Sequence, residues 1–161
     1  MKFKLVLILL LSPIINSCSG AIFQQPLIPT GGMNSQHPEE HPAYSSDGRY
    51  LAFASDRRGH RDIFLYDLQQ KNLVSLPNLN HRDSSQDQPS LSADGRYIAY
   101  VSNERGKPDI LVYDRLSQKS QLLTANIKGS VSKPTISGDG SKLAFQTSQS
   151  GQWKIAIMDL Q

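Results

Sequence analysis

A chain of 161 residues, 38% hydrophobic and 7% aromatic, is long enough for one domain with a real core, and its sparse aromatics require that core to be split among small apolar clusters. The formal charge of +3 includes Lys2 and Lys4; without them Lys plus Arg drops from 17 to 15 against 14 acids, a near-neutral balance that demands no nucleic-acid partner. The single cysteine, Cys18, excludes a disulfide within the chain.

The chain opens with "MKFKLVLILLLSPIINSCSG". Lys2 and Lys4 form a positive start, Leu5 to Leu11 an apolar run too short to span a bilayer comfortably, and Ser12 to Ser17 a cleavage region. This pattern reads as a secretory signal over residues 1–17, not a permanent membrane helix. The run Ile15-Asn16-Ser17-Cys18 resembles a bacterial lipobox, although Asn16 is not the commonest residue at its place. The resemblance implies cleavage before Cys18 and acylation there, with several chains on one residue giving stable anchoring. The expectation is an exported lipoprotein of the periplasm or cell envelope; a simple signal cut near Gly20 or Ala21 is the alternative.

Residues 18–36 read as an N-terminal tether or a latch strand. Ile22, Phe23, Leu27 and Ile28 could pair as a strand, Pro26 and Pro29 allow only an edge position, and Gly31-Gly32 favours a tether at least at its end.

Glycine and proline then fall between short apolar runs, and no sustained 3.6-residue apolar period appears after residue 20. "YSSDGRYLAFAS" (44–55) returns as "LSADGRYIAYVS" (91–102) and more loosely as "ISGDGSKLAFQT" (136–147). Aligned on Asp47-Gly48, Asp94-Gly95 and Asp139-Gly140, the copies are spaced by 47 and 45 residues. Pro42, Pro89 and Pro134 keep the same intervals, as do Gly59, Gly106 and Gly151, and Asp67, Asp114 and Asp159. A period of this size marks a repeat of four-stranded units, at about 40–85, 86–131 and 132–161.

Within each unit the first strand runs from the proline to the Ser-x-Asp-Gly turn, where Asp can bond its own backbone and Gly accepts the positive φ of a tight hairpin. The second strands are expected over 50–55, 97–102 and 142–147, the third over 62–68, 109–115 and 153–160, and the fourth over 72–76 and 120–124. "DIFLYD" and "DILVYD" are apolar at four consecutive places, which suits strands covered on both faces.

"PAYSSDGRYLAFASDRRGHRDIFLYDL" resembles the repeat of the TolB-like, or WD40-like, beta-propeller proteins, on Pro42, Tyr44, Ser45, Asp47, Gly48, Gly59, Asp62 and Ile63. In the second copy Pro89, Ser92, Asp94, Gly95, Gly106, Asp109 and Ile110 match; the third departs, with Gly138 and Ser141 around its turn and Lys154 in place of Asp. The resemblance implies an all-β fold of three four-stranded antiparallel propeller-type blades, the last stopping after its third strand. A three-sheet stack or a small barrel would use the same strands. Closed propellers usually have about four to eight blades. A head-to-tail homodimer would make six and hide both open ends.

Catalytic signatures are sparse. "HPEEH" (37–41) has the H-x-x-E-H order of the inverzincins, but Pro42 leaves no room for the helix that chemistry needs, so a solvated loop is expected. No G-x-S-x-G elbow and no glycine-rich phosphate loop is present. Asp83 and Asp87 fit no trusted calcium pattern and read as an inter-blade loop. "DRRGHRD" (56–62) gathers Arg57, Arg58, His60 and Arg61 into a basic turn that could meet an anionic headgroup or an acidic partner, or simply face solvent.

The expected function is therefore a noncatalytic protein-binding or scaffold lipoprotein without metal or cofactor. Its envelope partners would be proteins, by likeness to Tol-type systems. The alternative is a propeller-type enzyme or carbohydrate-binding module, for which the first strands offer chiefly His41 and Lys133.

Overall fold

The structure, a computed structural model, describes residues 32–160. The signal segment, Cys18 and the apolar residues Ile22 to Ile28 lie outside the described residues, and of the tether only 32–36 is included. Among the described residues none is helical.

Blade 1 is an antiparallel sheet of β1 (Glu39–Tyr44), β2 (Tyr50–Ser55), β3 (Asp62–Asp67) and β4 (Asn72–Val74) in that order. Blade 2 repeats it with β5 (Gln86–Leu91), β6 (Tyr97–Ser102), β7 (Asp109–Asp114) and β8 (Lys119–Leu122). Blade 3 has β9 (Val131–Ile136), β10 (Lys142–Thr147) and β11 (Lys154–Asp159), with no fourth strand among the described residues. The expected all-β blades are thus present, and the second strands fall where the repeat places them. The third and fourth strands end a residue or two early, where turns begin.

The first strands differ more from expectation. They start before the proline, at Glu39, Gln86 and Val131, because each carries a bulge opposite its neighbour: between Glu40 and Ala43, between Asp87 and Ser90, and between Ser132 and Thr135. The extra residue of a bulge leaves the ladder. Pro42, Pro89 and Pro134 sit there, where a missing N–H costs no ladder bond.

Registers explain the burial. In β2–β3, Phe53 opposes Phe64 and Leu51 opposes Tyr66 on one face, while Ala52 opposes Leu65 and Ala54 opposes Ile63 on the other. The second face packs on Leu91, Ile98, Tyr100, Leu111 and Tyr113 of blade 2. Blade 2 turns Ala99, Val101, Ile110 and Val112 to Val131, Ile136, Leu143 and Phe145 of blade 3. The two middle strands of blades 1 and 2 are therefore apolar on both faces, and each aliphatic side chain so enclosed stabilises the stack by about 1.5–3 kcal/mol. Contacts between blades gather at β1, β5 and β9, which lie side by side as the sheets fan outward.

The Ser-x-Asp-Gly turns join the blades. Gly95 has φ +67 and approaches Tyr50 of the preceding blade so closely that a Cβ there would lie 2.6 Å from the ring. Gly140, at φ +74, meets Tyr97 at 2.5 Å in the same way. Backbone bonds run from turn to turn, Asp47 N donating to Ala93 O (3.1 Å) and Ala93 N to Gly138 O (2.8 Å).

Candidate functional site

Each repeat turn closes on hydrogen bonds among its own residues. Ser45 Oγ donates to Asp47 Oδ1 (2.6 Å) and accepts from Tyr50 N (2.8 Å), and Asp47 Oδ1 also accepts from Arg49 N (2.9 Å). Ser92, Asp94 and Arg96 repeat the arrangement, as do Ser137, Asp139 and Ser141. These bonds favour the ionised carboxylates. The Ser45 hydroxyl lowers Asp47, the Arg96 N–H lowers Asp94, and the Ser137 and Ser141 hydroxyls with the Ser141 N–H hold Asp139 down to about 2. Asp47-Gly48, Asp94-Gly95 and Asp139-Gly140 therefore shape hairpins.

Chemistry gathers instead at the inner strands. His41, Gln88 and Lys133 occupy one repeat position, each directly before the bulge proline, and each has a left-handed backbone, with φ of 52, 53 and 51. Such a backbone is uncommon outside glycine and persists where the surroundings impose it. Each of the first two also stitches its blade to the next. His41 Nδ1 lies 2.8 Å from Asp87 Oδ1, and Gln88 Oε1 accepts from Lys133 N at 2.6 Å. Ser90 Oγ accepts from Ile136 N at 3.1 Å beside them.

Arg61 organises the charges around this row. Its guanidinium meets Glu40 and Asp56 (3.3 Å) and lies 3.4 Å from Asp87. Asp87 is thus shared by His41 and Arg61, and the loop role expected for it becomes an inter-blade link at the end of a strand. The "HPEEH" string is also not a solvated loop beyond His37 and Pro38, because the bulge lets β1 begin at Glu39. Among the described residues no group of three His, Cys, Asp or Glu could hold a metal ion.

The basic turn "DRRGHRD" is largely folded back into the protein. Arg57 lies over the rings of Phe53 and Phe64, pairs with Glu39 at 2.8 Å, and donates to the carbonyls of Gly32 (2.5 Å) and Met33. Arg58 stacks on Phe64, and His60 lies 3.1 Å from the buried Asp62, whose carboxyl is pushed up by burial. The free patch suggested by composition is therefore absorbed by carboxylates and rings. A repeat alignment carries the signal for this, since Arg57 corresponds to Glu104 and Gln149.

A second feature escaped sequence reasoning. Between blades 2 and 3 a groove of about 310 Å³ is lined by Asp87, Gln88, Asn103, Ser130, Ser132 and Trp153. Trp153, the chain's one tryptophan, is 55% exposed there.

No family model matches the sequence, and no curated protein does. Solved structures do match. TolB from Acinetobacter baumannii is 29% identical, with a TM-score of 0.58 over 74% of this chain and 29% of that protein. A TolB-type protein from Agrobacterium tumefaciens is 22% identical, with a TM-score of 0.66 over 81% of this chain and 46% of that one. The beta-propeller domain of the Trilobed protease from Pyrococcus furiosus, described as having an open velcro topology, is 18% identical, with a TM-score of 0.54 over 76% and 39%. The chain has the TolB-like propeller repeat fold and spans less than half the length of each of these three.

Proposed function

We propose that this protein is a noncatalytic protein-binding unit of the bacterial cell envelope. It is exported by its N-terminal segment, held at the membrane through lipid on Cys18, and engages an envelope protein across the row of inner strands. The observation that carries this reading is the repeated left-handed triplet His41, Gln88 and Lys133. Backbone strain held at three equivalent places is maintained by the fold, and strain of this kind clusters at binding and switching positions. His41 and Lys133 are exposed, so the row presents an imidazole, an amide and an ammonium along one line. The likeness to TolB supports a binding role, while Asp87 and Arg61 are committed to ion pairs and hold the row in place.

A photo-crosslinking residue at Lys133, introduced in the bacterial host, tests the reading. A discrete adduct with one envelope protein, lost on His41→Ala and absent when the probe sits at Lys128, is the expected result. Turnover of glycosidase or peptidase substrates that disappears on His41→Ala would overturn it in favour of an enzyme.

The groove beside Trp153 favours a second reading, carbohydrate binding, in which the indole stacks on a sugar face while Asn103 and Gln88 reach its hydroxyls. As the single tryptophan, Trp153 reports directly: quenching of its fluorescence by a glycan at one site per chain would support that reading over a protein partner.

A further inference from the structure

The two interfaces between blades can be compared position by position, and beside the inner strands they differ at one telling place. Arg61, Pro108 and Trp153 are equivalent in the repeat, as are Glu40, Asp87 and Ser132, while Asp56 matches Asn103. Between blades 1 and 2 the Arg61 guanidinium meets Glu40 and Asp56 of its own blade and Asp87 of the next. One blade further on, those three places hold Asp87, Asn103 and Ser132, and proline stands where the arginine was. All four residues line the groove of about 310 Å³ between blades 2 and 3. We propose, on the protein-binding reading above, that this groove receives an arginine side chain of the partner, in the place that Arg61 fills from within at the preceding interface.

The polar atoms of the groove suit a cation of this shape. Asn103 Nδ2 donates to Ser85 Oγ (2.9 Å) and the Ser132 hydroxyl donates to Gln146 Oε1 (3.4 Å), so both residues keep lone pairs for a ligand. His41, Arg61 and the Gln88 N–H all approach Asp87 at Oδ1, none of them at Oδ2. Acceptors therefore stand on both walls, Asp87 and Asn103 on blade 2 and Ser132 on blade 3. A guanidinium is a planar fork of five donors with no acceptor, whereas a sugar hydroxyl must both give and take. Trp153 adds an aromatic wall for the flat side of the cation, as Phe53 and Phe64 do for Arg57.

Charge points the same way. Arg61 is one cation among three carboxylates, Glu40, Asp56 and Asp87, and none of the residues lining the groove is a lysine or arginine. The side chain of Lys107, next to Pro108, is held by Asp109 (2.9 Å) and the Ile127 carbonyl (3.2 Å). A guanidinium seated against Asp87 offsets negative charge that Arg61 alone does not balance. Gln88 belongs both to the groove and to the inner row of left-handed residues, so a partner lying along that row reaches the groove directly.

The test uses the full chain carrying Cys18→Ser, purified in mild detergent, with Trp153 as its single fluorophore of that kind. N-acetylarginine amide should change the Trp153 emission saturably, at one site per chain. Its uncharged citrulline counterpart should bind about tenfold more weakly or worse. Pro108→Arg copies the blade 1 arrangement and should weaken binding of the amide by about tenfold or more, as should Asp87→Asn, with circular dichroism confirming the fold of each. Pro108→Arg should also remove the Lys133 photo-adduct. No saturable response, an equal response to the citrulline compound, or binding undiminished in both variants would overturn the proposal. So would tighter binding of free arginine, which would mark a small-molecule site, or a response to glycans alone. A Lys133 adduct that persists when the amide fails to bind would overturn the arginine site and leave the protein-binding reading standing.

Discussion

The two ends of the blade stack were built from the same repeat and finished differently. At the blade 1 end, four apolar side chains of β2 and β3 are buried, with Met33 packed against them and Arg57 laid across two of their rings. At the blade 3 end, the isoleucines of β11 face outward with nothing comparable over them among the described residues. The ends are opposite faces of the repeat. On the blade 1 face Arg57 carries a planar cation that stacks on Phe53 and Phe64, pairs with Glu39 and holds the Gly32 and Met33 carbonyls at once. The corresponding face of blade 3, with Leu143 and Phe145, is the one packed on blade 2, so Arg57 has no counterpart over the outer face of blade 3 among the described residues.

The contrast is most directly broken by truncating one residue at each end. Phe64→Ala removes a buried ring that stacks on Phe53 and should destabilise the protein by about 3–5 kcal/mol. Ile157→Ala truncates a side chain that is 73% exposed and should stay within about 0.5 kcal/mol of the parent. Urea melts check both, and equal losses would mean that the blade 3 face is covered within the single chain.

The repeat turns give a sharper version. Gly95→Ala drives a Cβ into Tyr50 at a positive φ and should cost about 2–4 kcal/mol, whereas Gly48→Ala, with nothing within 4 Å of its Cβ, should cost about 1 kcal/mol for the backbone alone. Comparable thermal shifts for the two would remove the close packing of turns as a determinant of blade order.

A smaller effect separates the two internal interfaces by pH. Burial raises the Tyr100 hydroxyl to about 12 at the blade 1–blade 2 interface, and the equivalent residue at the next interface is Phe145, which does not titrate. Between about pH 10 and pH 12 the unfolded chain loses that proton while the folded one keeps it, so stability falls as pH rises, by about 2–3 kcal/mol in all. Tyr113 is raised by burial too and adds to the slope. Tyr100→Phe should therefore flatten, but not abolish, the loss seen in melts across this window. An unchanged slope would show that water reaches the hydroxyl.

Much of this was readable from residues alone. The spacing of Asp-Gly pairs placed the hairpins, and consecutive apolar positions in "DIFLYD" and "DILVYD" marked strands enclosed on both sides. The first strands were misplaced at their starts because proline usually opens a strand, and the bulge that accommodates it inside one depends on the neighbouring strand. The row of His41, Gln88 and Lys133 is half visible in the sequence, since His41 and Lys133 are the chief polar groups the inner strands offer. Their left-handed backbones are not, because φ at a non-glycine residue leaves no mark in composition. The pairing within the basic turn is hidden for a related reason: charge counts along the chain ignore carboxylates brought in from elsewhere, here Glu39, Glu40 and Asp87.

The sequence by itself determined the unit, its period, its strand polarity and its hairpins, because these depend on side-chain alternation and turn chemistry within a few residues of one another. Only the tertiary structure decided which blade faces are enclosed, where Asp87 and Arg61 meet, and that Gly95 and Gly140 press on tyrosines of the preceding blade. Those outcomes depend on contacts between positions about half a repeat to one repeat apart. Such contacts exist only once one sheet has stacked on another, and stacking is driven by apolar burial that is itself blind to direction.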